Sequence, residues 1–304
     1  MKRILTAFTL LALFFLLLLF PEPVKTGAQE GLYLWYNSVV PILFPFMILS
    51  NAMVSTDSLS IFLRPFFLLA RILPGLNPWL FYPLFFGFFC GFPMGAKTIA
   101  DLMDKGLISQ KEASFLLPIV NQASPMFLAG YVGVHILKKQ LSFPKILFYV
   151  YLPPVALFLL YLLFSSFSST NKNSLKYKNS MSRNPEHTIW NAFTAIVTIG
   201  IYMMLFTIAL QLCLKLLPEN QTLSVLLCTL EFSSGLHQLC NFAFLTPVVK
   251  TGLILALTSF GGFCTAAQTS GMIKDTGLSM KSYLLRKILI AAAVFVLYSS
   301  SASS

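Results

Sequence analysis

The chain has 304 residues, of which 57% are hydrophobic and only 10% charged, with a mean hydropathy of +0.78. That composition excludes an ordinary soluble domain and points to a polytopic membrane protein. A net charge of +11 would suggest nucleic acid as partner of a soluble chain. No basic, aromatic-interleaved soluble stretch exists here, so lysine and arginine read as loop anchors at anionic headgroups, and no nucleic-acid partner is expected.

Residues 1–20 place Lys2 and Arg3 before a long apolar run, followed by Pro21 and Pro23. An uncleaved first span is expected rather than a signal peptide, because the run is longer than a typical signal core. Residues 31–54 can cross a bilayer at about 1.5 Å per residue. Pro41 and Pro45 within them favour a kink or a re-entrant hairpin, and Trp35 and Tyr36 mark an interface. Arg64 and Arg71 interrupt the next apolar stretch, 59–75, two helical turns apart and so on one face.

Residues 87–112, GFFCGFPMGAKTIADLMDKGLISQKE, follow. They read as broken backbone in a membrane-grade sequence, with Gly87, Gly91, Pro93 and Gly95 close together. Lipid tolerates irregular backbone only where protein or a wet cavity covers it. Lys97 and Asp101 stand four apart, as do Asp101 and Lys105, which laces the following helix with local ion pairs. A second discontinuity is expected at Asn121-Gln122-Ala123-Ser124-Pro125, where polar side chains at membrane depth need partners. After the span 146–166 comes a polar, Lys- and Ser-rich linker, 167–187. We take it as the boundary between an N-terminal membrane half (1–166) and a C-terminal half (188–304), and as cytoplasmic.

In the second half, Glu231 lies in an apolar run ahead of Ser233, Ser234 and Gly235, and 261–279 repeats the earlier motif. Without gaps, Gly91-Phe92 meets Gly262-Phe263, Lys97 meets Gln268, Asp104 meets Asp275, and Gly106-Leu107 meets Gly277-Leu278. Two breaks in matching places of two halves suggest an internal, inverted repeat and a transporter-type site.

No catalytic motif is present, and the cysteines (Cys90, Cys213, Cys228, Cys240, Cys264) form no metal-ligand spacing, so no enzyme, cofactor or metal is expected. A carboxylate at Glu231 is costly in an apolar segment. It can couple proton movement, hold a cation or pair with a basic residue. Lys97, beside a helix N-terminus near Ala96, can face an anion or simply pair with Asp101.

GLYLWYNSVVPILFPFMI at 31–48, GFPMGAKTIADLMDKGLISQKEA at 91–113, NQASPMFLAGYVG at 121–133 and LEFSSGL at 230–236 resemble the sporulation integral membrane protein YlbJ family, within the nucleoside-recognition Gate domain group. The resemblance implies a multi-spanning protein of the bacterial cytoplasmic membrane, acting in sporulation on a dipicolinate-like dianion, with other sporulation membrane proteins as possible partners.

The expected fold is therefore all-α and polytopic, with two related halves, broken or re-entrant helices and eight to ten membrane segments. The expected function is a permease for a small anionic solute. A non-transporting scaffold of a sporulation complex and a nucleoside-type transporter stand as alternatives. The expected solute site comprises Gly91, Pro93, Lys97, Asn121, Ser124, Glu231, Ser234, Gly262 and Gln268. In it Lys97 holds the anion, and Asn121, Ser124 and Gln268 supply hydrogen bonds.

Overall fold

Apolar runs punctuated by Pro, Gly and capping residues give a chain of helices. The computed structural model describes residues 2–55, 61, 63–65, 77–164, 185–218 and 220–302, and no strand occurs among them. Arg71 and linker residues 167–184 lie outside the described residues. In order, the helices are α1 (Lys2–Leu19), α2 (Pro21–Leu34), α3 (Val40–Ser55), α4 (Phe81–Cys90), α5 (Met94–Asp104), α6 (Gln110–Val120), α7 (Pro125–Phe127), α8 (Phe143–Phe164), α9 (Pro185–Leu216), α10 (Gln221–Leu227), α11 (Phe232–Asn241), α12 (Pro247–Phe260), α13 (Gly262–Met272) and α14 (Met280–Ala302). π-Helical turns join α2 to α3 (Trp35–Val39) and extend α7 (Leu128–Ile136).

Among the described residues, five segments are long and apolar enough to cross a membrane: Gln110–Ile136, Phe143–Leu163, Thr188–Leu216, Pro247–Met272 and Met280–Ala302. A sixth arises if α1 and α2, bent by 95° at their junction, form one span. The eight to ten membrane segments expected thus include pieces too short to cross, the apolar helices Leu43–Met53 and Pro78–Cys90. Outward-facing side chains fit lipid rather than water. Leu13, Phe14 and Leu18 of α1, Leu159 and Leu163 of α8, and Leu285, Leu289 and Val296 of α14 are all exposed. Each would be penalised in water, but lipid tails are as apolar as they are. The chain is an all-α polytopic membrane protein.

The segment around the first glycine cluster does not cross. Asn77, whose Oδ1 accepts from the Trp79 N–H (3.1 Å), also donates through Nδ2 to the Leu107 carbonyl at 3.0 Å. The chain therefore leaves at Asn77 and is back beside it thirty residues later, with α4 and α5 as the two arms of a hairpin. Ser109 then starts α6 with a reciprocal cap: its N–H donates to Glu112 Oε2 (2.7 Å) and its Oγ accepts from the Glu112 N–H (3.3 Å).

α2 lies on α9 through two small residues one turn apart. A Cβ on Gly27 would stand 2.6 Å from the Ile208 Cα, and one on Gly31 would stand 2.7 Å from the Met204 Cα. Small residues allow this backbone approach in membranes. One turn further on, Trp35 Nε1 donates to the Ile196 carbonyl at 2.9 Å, and the indole occupies the space left open by Gly200. Gly31→Val sets a side chain against backbone that cannot step aside. We expect a loss of at least about 2 kcal/mol, read as a lower melting temperature in detergent.

Candidate functional site

Four helices stop in the interior and start again, at residues 91–93, 121–124, 228–231 and 261. Each break strands backbone donors and acceptors that must be satisfied. The breaks solve this largely through one another.

The hairpin tip straddles the second break. Gly87 on α4 and Gly95 on α5 both abut the Val120 carbonyl, where an added Cβ would stand 2.3 and 2.7 Å from the oxygen. Gly91 ends α4 with φ +82°, and a Cβ there would stand 2.7 Å from the Ser124 nitrogen. The third and fourth breaks are joined by main-chain bonds. The N–H groups of Phe263 and Cys264, in the first turn of α13, donate to the carbonyls of Thr229 (2.8 Å) and Leu230 (2.9 Å). Phe92 closes the circle by resting on Gly261 (φ +83°), where its ring occupies the place of a side chain. Matched glycines of the two motif copies share a backbone state: Gly91 and Gly262 have φ +82° and +75°, and Gly106 and Gly277 have φ +66° and +72°. The copies differ in overall shape. The first turns back as a hairpin, whereas the second interrupts the membrane-length segment Pro247–Met272.

Side chains from α8, α13 and α14 finish the second break. Asn121 Nδ2 donates to Thr269 Oγ1 (2.8 Å) and Tyr283 Oη (2.9 Å). Tyr151 Oη donates to the Ala123 carbonyl (2.6 Å). Lys287 Nζ donates to the Asn121 carbonyl (2.8 Å) and to Gln122 Oε1 (3.2 Å). Ser124 Oγ accepts from the Phe127 N–H at 3.2 Å and caps α7, with Pro125 in the first helical position.

Between the breaks lies a cavity of about 60 Å³, open on one side. Gly91, Phe92, Ser124, Glu231, Phe232, Ser233 and Gln268 line it, opposite Ser38, Ile199 and Met203. Glu231 is completely buried. One carboxylate oxygen, Oε2, accepts from the Ser234 N–H at 2.7 Å and caps α11. Among the described residues the other, Oε1, has no hydrogen-bond partner within bonding geometry, and neither does Ser234 Oγ. Among the described residues no cation forms an ion pair with Glu231, so the basic partner considered for it is replaced by a helix end. A carboxylate at a helix N-terminus is favoured by the aligned peptide dipoles.

Four of the nine expected site residues, Gly91, Ser124, Glu231 and Gln268, line the cavity. Asn121, Ser234 and Gly262 sit behind it as supports, and Pro93 begins α5. Lys97 is not among the residues that line the cavity. Its Nζ is bonded to Asp101 Oδ2 at 2.7 Å, the local pairing that its i,i+4 spacing permits. A partly exposed pair of this kind is worth about 0–1 kcal/mol. Lys97→Ala is therefore expected to change the melting temperature in detergent by little, on the scale of that pair. Lys287 is the cation at the breaks that sequence reasoning missed. Its signal was a lysine inside the last apolar run, hidden by its neighbour Arg286.

Over 91% of its length the chain is 23% identical to the sporulation integral membrane protein YlbJ of Bacillus subtilis (strain 168), and it spans 78% of that protein. The chain is YlbJ-like. The likeness read from separate motifs extends along almost the whole sequence and, with the apolar helices, supports a multi-pass protein of the cell membrane. No family model and no solved structure matches the chain, so a Gate domain grouping rests on the motifs alone. The YlbJ-like match carries no residue roles, and the site above stands on its geometry.

Proposed function

We propose that the protein acts in sporulation as a permease for a small anionic, dipicolinate-like solute, with the cavity between the four breaks as its path. The observation that supports this most is Glu231: a buried carboxylate, one oxygen unpartnered, on the wall of a membrane cavity built from interrupted helices. A carboxylate without a compensating cation at membrane depth is retained against a cost of several kcal/mol or so. Interrupted helices around a cavity are how secondary transporters expose backbone dipoles to a solute.

On this reading Glu231 takes up a proton when an anion enters, so that solute and proton move together. The two halves rock or gate about the joined breaks, and Gly91 and Gly261 supply the freedom at the joints. The protein is then a carrier and not an enzyme, and its partners are the bilayer, the solute and other sporulation membrane proteins. The relative named for sporulation supports the setting; the solute class comes from the motif resemblance.

Uptake into proteoliposomes tests it, with labelled dipicolinate, a nucleoside and a neutral solute offered to the purified protein. Saturable dipicolinate uptake that rises with an inward proton gradient is expected. Nucleoside uptake in its place would move the substrate class. Folded protein that moves none of the three would leave a scaffold as the surviving function.

A further inference from the structure

Lys287 has no role in the path described so far, although only the Phe92 ring parts it from the cavity. It is completely buried on α14. Its Nζ donates to the Asn121 carbonyl and Gln122 Oε1 and lies 4.9 Å from the centroid of the Phe92 ring. Among the described residues it makes no ion pair. A neutral donor such as a glutamine amide would serve both acceptors without bringing a charge into the membrane, where a charge is expensive. The amine nitrogen therefore meets only carbonyl oxygens and the electron-rich face of a ring, with no counter-ion.

That ring is also a wall of the cavity. Phe92 sits at the hairpin tip, rests on Gly261, and makes an edge contact with Phe232 at 5.8 Å. Phe127 adds a third ring, 5.1 Å from Phe232. One phenyl group thus stands between a buried lysine amine without a counter-ion and the cavity.

We propose that Lys287 is the charge-reading residue of the cavity and that Phe92 is its cover. A planar aromatic carboxylate entering between the rings displaces Phe92, stacks on Phe127 and Phe232, and places a carboxylate against the Lys287 ammonium. The inference rests on the permease reading and gives that site its selectivity. Carboxylate affinity comes from Lys287 and preference for a flat solute from the rings, while Glu231 keeps the proton.

Binding to purified protein in detergent, read by titration calorimetry, separates this from transport. The probes are pyridine-2,6-dicarboxylate and the uncharged pyridine-2,6-dimethanol. The wild type binds the dicarboxylate in preference. Lys287→Gln keeps the donor but removes the charge, and it weakens dicarboxylate binding by about ten- to a hundred-fold, whereas Lys287→Arg restores most of it. Equal binding by Lys287→Gln overturns the inference and leaves the permease reading standing; a wild type that binds no carboxylate removes both. Should Lys287→Gln not fold, Phe92→Ala serves. The uncovered amine is then acetylated by a water-soluble ester, as located by mass spectrometry, and the dicarboxylate protects it. An amine that stays unmodified in folded Phe92→Ala, or is modified equally with and without dicarboxylate, overturns the proposal.

Discussion

Glu231→Gln is expected to remove proton-driven uptake while leaving the protein folded and able to exchange solute at equilibrium. The glutamine oxygen still accepts from the Ser234 N–H, so the α11 cap survives in large part. What goes is the titratable oxygen on the cavity wall. Accumulation driven by a pH gradient should fall at least about tenfold, on the scale of a lost charge-assisted contact, with counterflow of labelled solute retained. Glu231→Leu removes the cap as well and leaves a buried N–H without a partner. That costs about 1–3 kcal/mol and should lower the melting temperature in detergent. If Glu231→Gln accumulates solute as well as wild type, Glu231 is a cap and nothing more.

Gly91→Val carries the second large effect. At φ +82° a β-branched residue is strained. Its Cβ would also stand 2.7 Å from the Ser124 nitrogen and 3.2 Å from the Ser124 Cα, where backbone meets backbone. Together these cost about 2–4 kcal/mol and push the hairpin tip off the second break. Uptake should be lost and thermal stability reduced. Gly130→Ala is the control, since a Cβ there meets nothing within 4 Å, and both readouts should stay at wild-type values.

The breaks were legible in the sequence because membrane helices rarely carry Gly-Phe-Pro or Asn-Gln-Ala-Ser-Pro by accident, and the cost of unsatisfied backbone in lipid gives such stretches meaning. Glu231 was legible for the same energetic reason. Its role was less so: that a carboxylate caps a helix and does not pair with a base depends on α11 starting at Phe232, a start that no glycine or proline in 221–231 announces. Of the two readings that the sequence left open for Lys97, the structure shows the pair with Asp101, four residues along. Lys287 was passed over because Arg286-Lys287 looks like the charged flank of a final span. Its burial is decided by the Asn121 carbonyl, 166 residues away in sequence. The hairpin closure between Asn77 and Leu107 is hidden likewise, since no local period announces that a short apolar helix will turn back. For Lys287 and for the hairpin the missing information is a long-range contact, and periodicity carries none.

The claim that the cavity between the breaks is the solute path is tested most directly at Ser124, which lines it. Ser124→Cys in the full chain, reconstituted in vesicles, is exposed to a membrane-impermeant thiol reagent with increasing pyridine-2,6-dicarboxylate, and labelling of the wild type is subtracted for the native cysteines. The account predicts labelling that the dicarboxylate suppresses over the concentration range that half-saturates uptake. Labelling indifferent to solute while uptake proceeds, or a cysteine at 124 never reached during transport, would contradict it.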